Sequence, residues 1–595
     1  MEDFYKQLEY PSEPFILSSK AKKIKQVLLN NGAKRIKKNI AVLGGSTTHD
    51  IVKILDLFLL FNGIEANFYE CEYNKYYEDV MFNDENLKAF KPDLIWFHTS
   101  YRNLINVPDI KDSVDDVKQK LQVEYEKFLK MWQKCFETFG CTVIQNNFEQ
   151  PCYRLMGNKD VSDCHGLLNF ISELNMKFYN FAQNNDNFYI NDLNFVASNY
   201  GLEKWHNLLA WYMYKYCCDI DAIPRLAYNV NLIIKSIYGK NKKGFVLDLD
   251  NTLWGGIVGD DGVDNLEIGQ ETATSQAYSE FQLYLKKLKS LGVILNINSK
   301  NDESSALAGL NHPDSVLKPD DFISIKANWN PKSQNMLEIA NELSLGLDSL
   351  VFVDDNPAER EIVKQNIKDA CAVEISQVEE YIKEIDKHGY FEISTLSKDD
   401  LSKNDMYKSN VERKKLESVC ENYDEYLKSL DMKAEIKPFS DLYMQRIAQL
   451  TNKSNQFNLT TRRYSKSEIE QISSSKDNIC LYGKLQDKFG DNGVVSVVIG
   501  KKDKADLHID LFLMSCRVLK RGMEFAMLDE LVRIAKAQGI SNIIGYYYKT
   551  QKNNMVKDLF KEFGFTLKET KGEDTIWTLN IENYVNKQSI IILEN

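Results

Sequence analysis

Residues 244–262, GFVLDLDNTLWGGIVGDDG, decide the predicted fold. The apolar run GFVL predicts a buried strand, and it ends in Asp248-Leu249-Asp250-Asn251-Thr252. Open α/β sheets bind their ligands at such strand ends. Two carboxylates there can take separate roles, one as nucleophile or metal ligand and the other as acid and base. An acidic turn after a strand is the alternative for these five residues taken alone.

Three later strand ends favour the chemical interpretation. The apolar run 292–298 stops at Ser299-Lys300-Asn301-Asp302, WNPKS at 329–333 opens a helix, and 349–353 leads into Asp354-Asp355-Asn356-Pro357. Alternating strands and helices thus bring two acids, a hydroxyl, a lysine and two more acids to the same edge of the predicted sheet. A hard cation held by oxygens and a fixed lysine both offset charge on a phosphoryl group. The pattern predicts a phosphoryl-transfer site.

The order D-x-D-x-T, Ser, Lys, DD resembles the four motifs of the haloacid dehalogenase (HAD) superfamily. The strings DLDNTLWGGIVGDDG, NWNPKSQN and VFVDDNPAER resemble its FkbH-like branch. The resemblance implies a Rossmann-like core, Mg²⁺ and an aspartyl phosphate. It implies Asp248 as the nucleophile and Asp250 as the acid/base. It implies Ser299 and Lys332 as the groups that hold the phosphoryl oxygens, and Thr252 and Asn298 as substrate contacts. The metal ligands that it implies are Asp248, Asp354, Asp355 and the carbonyl of Asp250.

Composition limits the remaining possibilities. A chain of 595 residues with 43% apolar residues predicts three or four domains with real cores. The net charge of −12 argues against a broad nucleic-acid footprint. Eleven cysteines without a CxxC pair are typical of reduced thiols in a cytosolic protein, and Cys217 and Cys218 are the adjacent two. The start lacks an apolar signal core, and no apolar stretch is long enough for a bilayer. We expect a cytoplasmic protein without a membrane span.

The first third predicts another α/β domain. Strands are expected at 39–43, 91–98 and 142–146, with Gly44-Gly45-Ser46 followed by a helix at 51–61. Gly-Gly-Ser at a strand end resembles the first block of SGNH-type hydrolases, and FkbH-like proteins carry such a domain.

The resemblance implies Ser46 as its serine, yet this domain departs from the SGNH pattern. The usual Gly-Asp-Ser is Gly-Gly-Ser here, and Glu203 replaces the Asp that should precede a base at His206. We therefore interpret the domain as degenerate, structural or partner-docking rather than as a working esterase. Its aromatic residues Trp205, Trp211, Tyr212 and Tyr214 are expected in a core.

The last third resembles a GNAT-type acyltransferase domain. Arg517 to Gly522 partly matches the loop that holds the pyrophosphate of coenzyme A, but Lys520 occupies the position of the first glycine. Cys516 has two interpretations. It is either an unreactive core residue at a strand end, or a thiolate that Arg517, Arg521 and the following helix favour and that can accept an acyl group. Arg517 is also a candidate substrate contact.

The predicted domains are 1–238 (SGNH- or flavodoxin-like α/β), 239–377 (HAD-like), 378–430 (a charged, exposed helical linker) and 431–595 (GNAT-like α+β). FkbH-like proteins are associated with moving a glyceryl group from a bisphosphoglycerate to the phosphopantetheine thiol of an acyl carrier protein, with loss of phosphate. The alternatives are a stand-alone Mg²⁺-dependent phosphatase, an acyltransferase that uses coenzyme A, and a scaffold that docks carrier proteins without catalysis.

Overall fold

The computed structural model describes residues 2–368, 370–550, 552–587 and 590–594. The chain forms two compact units. The first unit comprises Met1–Lys240 and Tyr464–Gln471, and the second comprises Asn241–Arg463 and Ile472–Asn595.

The first unit contains a parallel sheet covered by helices. Its strands are β1 (Ile36–Gly44), β2 (Ile64–Glu70), β3 (Leu94–His98), β4 (Thr142–Asn146) and β5 (Phe188–Asn191). Its helices are α1 (Glu2–Glu9), α2 (Pro14–Asn30), α3 (His49–Phe61), α4 (Tyr76–Met81), α5 (Glu85–Phe90), α6 (Val114–Phe139), α7 (Leu167–Gln183), α8 (Leu193–Tyr200), α9 (Leu202–Trp205), α10 (Leu208–Tyr214) and α11 (Ile223–Ile237). The order β2-β1-β3-β4-β5, all parallel, is the flavodoxin-like order. The predicted α/β class is confirmed.

The aromatic residues that the sequence placed in the core of this unit differ in their exposure. Trp205 is fully buried, as predicted, whereas Tyr212 and Tyr214 are 66% and 51% exposed. The prediction of core positions for these two tyrosines was wrong, because α10 packs through a few residues such as Ala210 and turns its tyrosines outward.

The second unit begins with another parallel sheet and ends with a largely antiparallel one. Its strands are β6 (Gly244–Leu247), β7 (Ile294–Ser299), β8 (Ser324–Ala327), β9 (Leu350–Val353), β10 (Cys371–Ala372), β11 (Lys433–Pro438), β12 (Phe457–Asn458), β13 (Asn478–Asp487), β14 (Gly490–Asp503), β15 (Asp506–Met514), β16 (Asn542–Tyr547), β17 (Thr566–Lys571), β18 (Asp574–Asn580) and β19 (Ile592–Leu593). The helices from here onward are α12 (Val258–Asp261), α13 (Ala273–Ser290), α14 (Glu303–Leu310), α15 (Lys332–Leu343), α16 (Pro357–Asn366), α17 (Tyr381–Asp386), α18 (Lys398–Leu401), α19 (Lys403–Val419), α20 (Tyr423–Ser429), α21 (Met444–Lys453), α22 (Lys466–Ser474), α23 (Met523–Ala537) and α24 (Leu559–Glu562).

The parallel sheet of the second unit has the order β10-β9-β6-β7-β8. The strand β6 is central, between β9 and β7, so three of the predicted motifs end at neighbouring positions. The helix α13 lies on this sheet through an apolar stripe, in which Tyr278, Phe281 and Leu285 are buried and Leu288 packs against the same core. This arrangement confirms the predicted Rossmann-like core.

The second sheet of this unit has the order β17-β18-β16-β15-β14-β13-β11-β19, with β12 paired to β15. Its pairs are antiparallel except β15–β16 and β11–β19, which agrees with the predicted α+β class. The turn between β13 and β14 consists of Lys488 and Phe489, because the two strands pair up to Asp487↔Gly490.

The charged segment before this sheet is helical, but its predicted exposure was wrong. The helix α19 buries Asn404, Tyr407, Asn410 and Arg413. Tyr407 packs into the core on the α15 side of the parallel sheet, and Arg413 forms a buried ion pair with Asp487. A segment rich in charged residues is predicted to be exposed when the residues that pair with its charges are distant in sequence.

Within the described residues, none of the helices combines the length and apolar character that crossing a bilayer requires.

Candidate functional site

The candidate active site lies at the carboxyl ends of three adjacent parallel strands. Leu247 in β6 is opposite Ile297 in β7 and Val353 in β9, and the amide of Asp248 donates to the carbonyl of Val353 over 2.9 Å. The residues that follow these strands therefore lie side by side.

A lysine lies between two of the predicted aspartates. Lys332 begins α15, and its Nζ is 3.0 Å from Asp248 Oδ1 and 2.6 Å from Asp354 Oδ2. All three side chains are at least nine-tenths buried. A buried cation with two carboxylates is fixed by charge on both sides, which restricts the directions of the two acids.

Three carboxylates here suit a divalent cation. One oxygen from each of Asp248, Asp354 and Asp355 lies within 4.8 Å of the others. Carboxylate oxygens are the donors that Mg²⁺ prefers, and Mg²⁺ usually retains several waters in such sites. The donor set therefore fits Mg²⁺.

The protonation of these groups reflects their burial. Burial raises the pKa of Asp248 to about 6, against the opposing effect of Lys332. Burial also raises the pKa of Asp354 and of Asp355, and for Asp355 the charge of Asp248 adds to the effect. Burial disfavours the charged form of Lys332, but the carboxylates of Asp248 and Asp354 outweigh it and raise its pKa. The three carboxylates are therefore easier to protonate than free ones, while Lys332 holds its charge more firmly.

Asp250 has a separate environment, as the sequence predicted for a second role. Its Oδ1 accepts from Trp254 Nε1 at 3.0 Å and from the amide of Val258 at 3.1 Å. Its Oδ2 accepts from Asn301 Nδ2 at 2.8 Å, and the same amide lies 3.2 Å from Ser299 Oγ. Asn301 therefore links the predicted acid/base to the predicted phosphoryl-holding hydroxyl.

The predicted substrate contacts Thr252 and Asn298 are both fully buried. Thr252 Oγ1 accepts from the amide of Asp355 at 3.2 Å. Asn298 Nδ2 donates to the carbonyl of Lys332 at 2.8 Å, and its Oδ1 accepts from Asn335. In this structure both side chains hold site residues in place, and contact with substrate stays a prediction for each.

Sequence reasoning did not assign roles to Trp254, Asn301 or Arg360. Arg360 Nη1 donates to the carbonyls of Asp354 and Asp355 at 2.5 and 2.8 Å, which fixes the loop between β9 and α16. The only sequence signal for Asn301 was its place two residues after Ser299 at a strand end. From the sequence alone, Trp254 would be taken for a core residue and Arg360 for a surface residue, because their roles depend on how the loops fold.

Cys516 lies at the end of β15, half-buried beside the core that contains Tyr407 and Val411. The guanidinium of Arg517 contacts Met406 Sδ and donates from Nε to Ser515 Oγ at 3.2 Å. A cavity of about 370 Å³ adjoins this region. The lining of this cavity includes Met406, the partner of Arg517.

The other arginine predicted beside the thiol is engaged elsewhere. Arg521 Nη1 is 3.1 Å from Asp487 Oδ2, and Arg413 binds the same fully buried carboxylate through Nε at 2.9 Å and Nη2 at 2.7 Å. Two guanidinium groups around one carboxylate join α19 to the hairpin and to the loop before α23. Lys520 in that loop adopts a left-handed backbone with φ of 60°, the conformation that a glycine favours.

The strands β15 and β16 pair only through residues 506–508 and 542–544. Beyond these residues β15 and β16 are no longer paired, and segment 457–460 of the same chain lies between them. The amide of Leu459 donates to Phe512, the amide of Tyr548 donates to Leu459, and Thr460 Oγ1 donates to the carbonyl of Asp510. Backbone groups at this edge of β15 are therefore already paired.

Glu524, in the first turn of α23, provides a test of this region by pH. It is 8% exposed, its Oε2 has no partner, and burial raises its pKa to about 7. Because the folded pKa exceeds that of the unfolded chain, the folded state holds the extra proton between pH 4.5 and 7, and stability falls as the pH rises through that window. The loss amounts to roughly 3 kcal/mol above pH 7.

Glu524→Gln should remove this loss. We expect the variant to unfold at higher denaturant than the wild type at pH 8, and at about the same concentration at pH 4.5. The exposed control Glu421→Gln should leave the pH dependence unchanged. Parallel curves for Glu524→Gln and the wild type across this range would contradict the assignment.

In the first unit, Ser46 follows β1 and is 2% exposed, with an Oγ that has no hydrogen-bond partner. His206 Nε2 lies 2.7 Å from the carbonyl of Gln150. A hydrogen bond between Ser46 and His206 is absent from the contacts of the described residues, as the departure from the SGNH pattern suggested.

The Rossmann-like fold of the second unit's parallel domain, and the residues at the ends of its strands, resemble those of HAD-type phosphatases. The chain is similar to the N-terminal part of protein BF1531 from Bacteroides fragilis, which contains a phosphatase domain and was crystallised with Mg, at 27% identity and a TM-score of 0.59 over 63% of this chain and 99% of that one.

The first unit matches a family model. Residues 39–235 match the model of the FkbH N-terminal domain, and the predicted resemblance to FkbH-like proteins is thereby confirmed for that part of the chain.

Smaller parts of the chain match acetyltransferases. The PaiA N-acetyltransferase of Thermoplasma acidophilum, solved with coenzyme A, matches at 18% identity and a TM-score of 0.19, over 25% of this chain and 99% of that one. The ribosomal-protein-S18-alanine N-acetyltransferase of Escherichia coli matches at 11% identity and a TM-score of 0.20, over 26% of this chain and 99% of that one. No conclusion about activity follows from likenesses at this level. Among curated proteins, none matches the chain.

Proposed function

We propose that this protein is a Mg²⁺-dependent phosphatase that acts through an aspartyl phosphate and couples this activity to the transfer of a glyceryl group to an acyl carrier protein. The observation that carries the phosphatase half is the contact of one buried lysine with two carboxylates, Asp248 and Asp354, beside Asp355. That arrangement suits the attack of a carboxylate on a phosphoryl group, since like charges would otherwise repel.

Each residue of the site has a defined task in the proposal. Asp248 Oδ attacks the phosphorus, the leaving oxygen takes a proton from Asp250, and water then releases phosphate from the aspartyl phosphate with Asp250 as base. Lys332 and Ser299 orient the phosphoryl oxygens. Asp248, Asp354 and Asp355 would hold Mg²⁺, which would supply positive charge against the phosphoryl oxygens. Asn301 and Trp254 aim Asp250 at the reacting group.

The acyl half of the proposal assigns Cys516 as acceptor. Its sulfur attacks the acyl carbon of a bisphosphoglycerate, the bond from that carbon to the phosphate oxygen breaks, and inorganic phosphate leaves. The resulting phosphoglyceryl thioester then passes to the phosphopantetheine thiol of the carrier, and the Asp248 site removes the phosphate that remains on the glyceryl group. Two observations support this assignment. Cys516 is half-buried and directly precedes Arg517, and Arg517 contacts Met406, which lines a cavity of about 370 Å³.

The experiment is an incubation of the full-length protein with Mg²⁺, bisphosphoglycerate and a holo carrier protein, followed by the mass of the carrier. We expect the carrier to gain a glyceryl group while phosphate is released. Phosphate release with an unchanged carrier mass would leave only the phosphatase half.

Cys516→Ala should separate the two halves. We expect acyl transfer to the carrier to be lost, with hydrolysis of a plain phosphomonoester within about twofold of the wild type, because Asp248 and not Cys516 performs that step. Cys420→Ala, which removes another half-buried cysteine of the second unit, is the matched control and should retain both activities. Transfer that survives in Cys516→Ala removes this residue from the proposal.

A stand-alone phosphatase is the second candidate, favoured by the self-contained cluster around Lys332. Hydrolysis of free phosphate esters at the same rate with and without a carrier would support it. An acyltransferase that uses coenzyme A is less favoured, because segment 457–460 already pairs with the β15 edge and Lys520 replaces the first glycine of the loop. A thermal shift with coenzyme A tests that alternative.

A further inference from the structure

The first unit holds a second cluster of reactive side chains. The strands β1 and β3 are neighbours in the order β2-β1-β3-β4-β5, at the point where the chain reverses direction across the sheet. Ligands of flavodoxin-like sheets bind at this switch point. Ser46 follows β1 and His98 ends β3, so both lie at the carboxyl edge there.

A cysteine faces His98 at this edge. Cys217 Sγ is 3.5 Å from His98 Nε2, and both residues are buried. The indole nitrogen of Trp96 only donates, and it lies 2.8 Å from Asn146 Oδ1, which fixes the orientation of that amide. Asn146 Nδ2 therefore donates to His98 Nδ1 at 3.0 Å, and the neutral ring carries its hydrogen on Nε2. That hydrogen points to the sulfur.

The same neighbours favour the thiolate. The hydrogen bond from Cys218, with smaller contributions from the neighbouring His98 and Ser46, outweighs the effect of burial and holds the pKa of Cys217 well below its ordinary value. Cys135 in the same unit is equally buried and lacks an imidazole, and burial raises its pKa. Thiolates and not thiols are nucleophiles, so the two cysteines should differ in reactivity.

Three buried polar atoms around Cys217 have no hydrogen-bond partner. They are Ser46 Oγ, Glu149 Oε1 and His206 Nδ1, in side chains that are 2%, 0% and 7% exposed. Cys217 lies close enough to all three residues to interact with them electrostatically or by a distorted hydrogen bond. Buried polar groups are ordinarily paired, so this set of donors and acceptors points to a bound polar ligand.

A short segment, residues 214–216, directly precedes Cys217 and binds the chain next to Ser46. The amide of Thr47 donates to the carbonyl of Lys215, Thr47 Oγ1 donates to the carbonyl of Tyr214, and Tyr216 Oη donates to Asp50. Lys215 follows α10 in a left-handed conformation, with φ of 61°. Because Cys217 and His98 are only 4% and 0% exposed, a ligand reaches them only if neighbouring residues such as these move.

We propose that Cys217 is the nucleophile of a second acyl-transfer site, which takes a short acyl group from a thioester. The Cys217 sulfur attacks the acyl carbon, a new C–S bond forms, and the C–S bond to the donor breaks with release of the donor thiolate. His98 Nε2–H stabilises the attacking thiolate. A thioester fits better than an oxygen ester, because the bond formed and the bond broken are of one kind and the exchange is nearly balanced in free energy. This site does not depend on Asp248.

The test uses the full-length protein and the N-acetylcysteamine thioester of acetic acid. After digestion, mass spectrometry gives the acetylation of each cysteine, with exposed Cys152 and buried Cys135 as internal references. We expect Cys217 to be acetylated faster than both. His98→Gln should slow this labelling by at least about tenfold relative to Cys152, and Cys217→Ser should abolish it.

Circular dichroism of each variant controls for folding. If His98→Gln does not fold, the wild-type ranking of Cys217 against Cys152 and Cys135 decides alone. Acetylation confined to Cys152, or Cys217 labelling that His98→Gln leaves unchanged, overturns the proposal.

Discussion

Asp248→Asn should lower the rate of phosphate release by about 10³-fold or more, with little change in the folded structure. The amide keeps the size of the side chain but is a poor nucleophile, so no aspartyl phosphate forms. The loss should appear in kcat, because the step removed is chemical and not binding. Phosphate release under saturating Mg²⁺ is the measurement.

Asp260→Asn provides the matched control. Asp260 is an exposed acid in α12, in the loop that follows β6 and Asp248, and it lies outside the group of carboxylates around Lys332. This variant should remain within about twofold of the wild type. Equal losses in both variants would show that the loop tolerates no change of charge, and would remove Asp248 from its assigned role.

Lys332→Met has the second large effect, and it concerns stability as well as rate. Removal of the ammonium leaves Asp248 and Asp354 buried and facing one another without a cation. Breaking a buried ion pair by removal of one partner costs about 3 kcal/mol or more. We expect this loss in the free energy of unfolding when Mg²⁺ is absent, and a smaller loss when Mg²⁺ is present, because a cation then offsets the same carboxylates.

The control for this variant is Lys364→Met, which removes a surface lysine 3.8 Å from Glu374. Exposed pairs contribute about 1 kcal/mol or less, and Mg²⁺ should not alter the result. If Mg²⁺ stabilised Lys332→Met and Lys364→Met equally, the carboxylates around Lys332 would not be the Mg²⁺ site.

The parallel core was predictable from the sequence because its signals are local. Apolar runs such as 244–247 end in acids, and parallel strands necessarily bring their carboxyl ends to one edge. Lys332 and Asp354 were therefore predicted beside Asp248 although more than 80 residues separate Asp248 from Lys332. Order along the chain and strand direction together suffice for such a site.

The remaining contacts depend on loop paths that no local pattern encodes. Trp254 and Asn301 meet Asp250 only after two loops fold toward each other. The charged helix α19 appears exposed from its composition, because its partner Asp487 lies 74 residues beyond Arg413. Similarly, nothing local indicates that segment 457–460 fills the gap beside β15.

The cysteines illustrate the same limit. From the sequence, Cys516 was the cysteine considered as a possible reactive thiol, because arginines and a helix start follow it directly. The neighbours of Cys217 come from β3 and from the loop after β1, more than 100 residues away. A reactive thiol that is assembled from distant strands has no sequence signature beyond the adjacent pair Cys217-Cys218.

The most direct measurement of the central claim is the trapping of the covalent intermediate. The protein is mixed with Mg²⁺ and a phosphomonoester substrate, quenched with hydroxylamine and digested, and the mass of each acidic peptide is determined. An acyl phosphate reacts with hydroxylamine to give a hydroxamate. The account predicts a hydroxamate at Asp248, dependent on Mg²⁺ and on substrate. Phosphate release with Asp248 unmodified, or with the hydroxamate on another carboxylate, would contradict it.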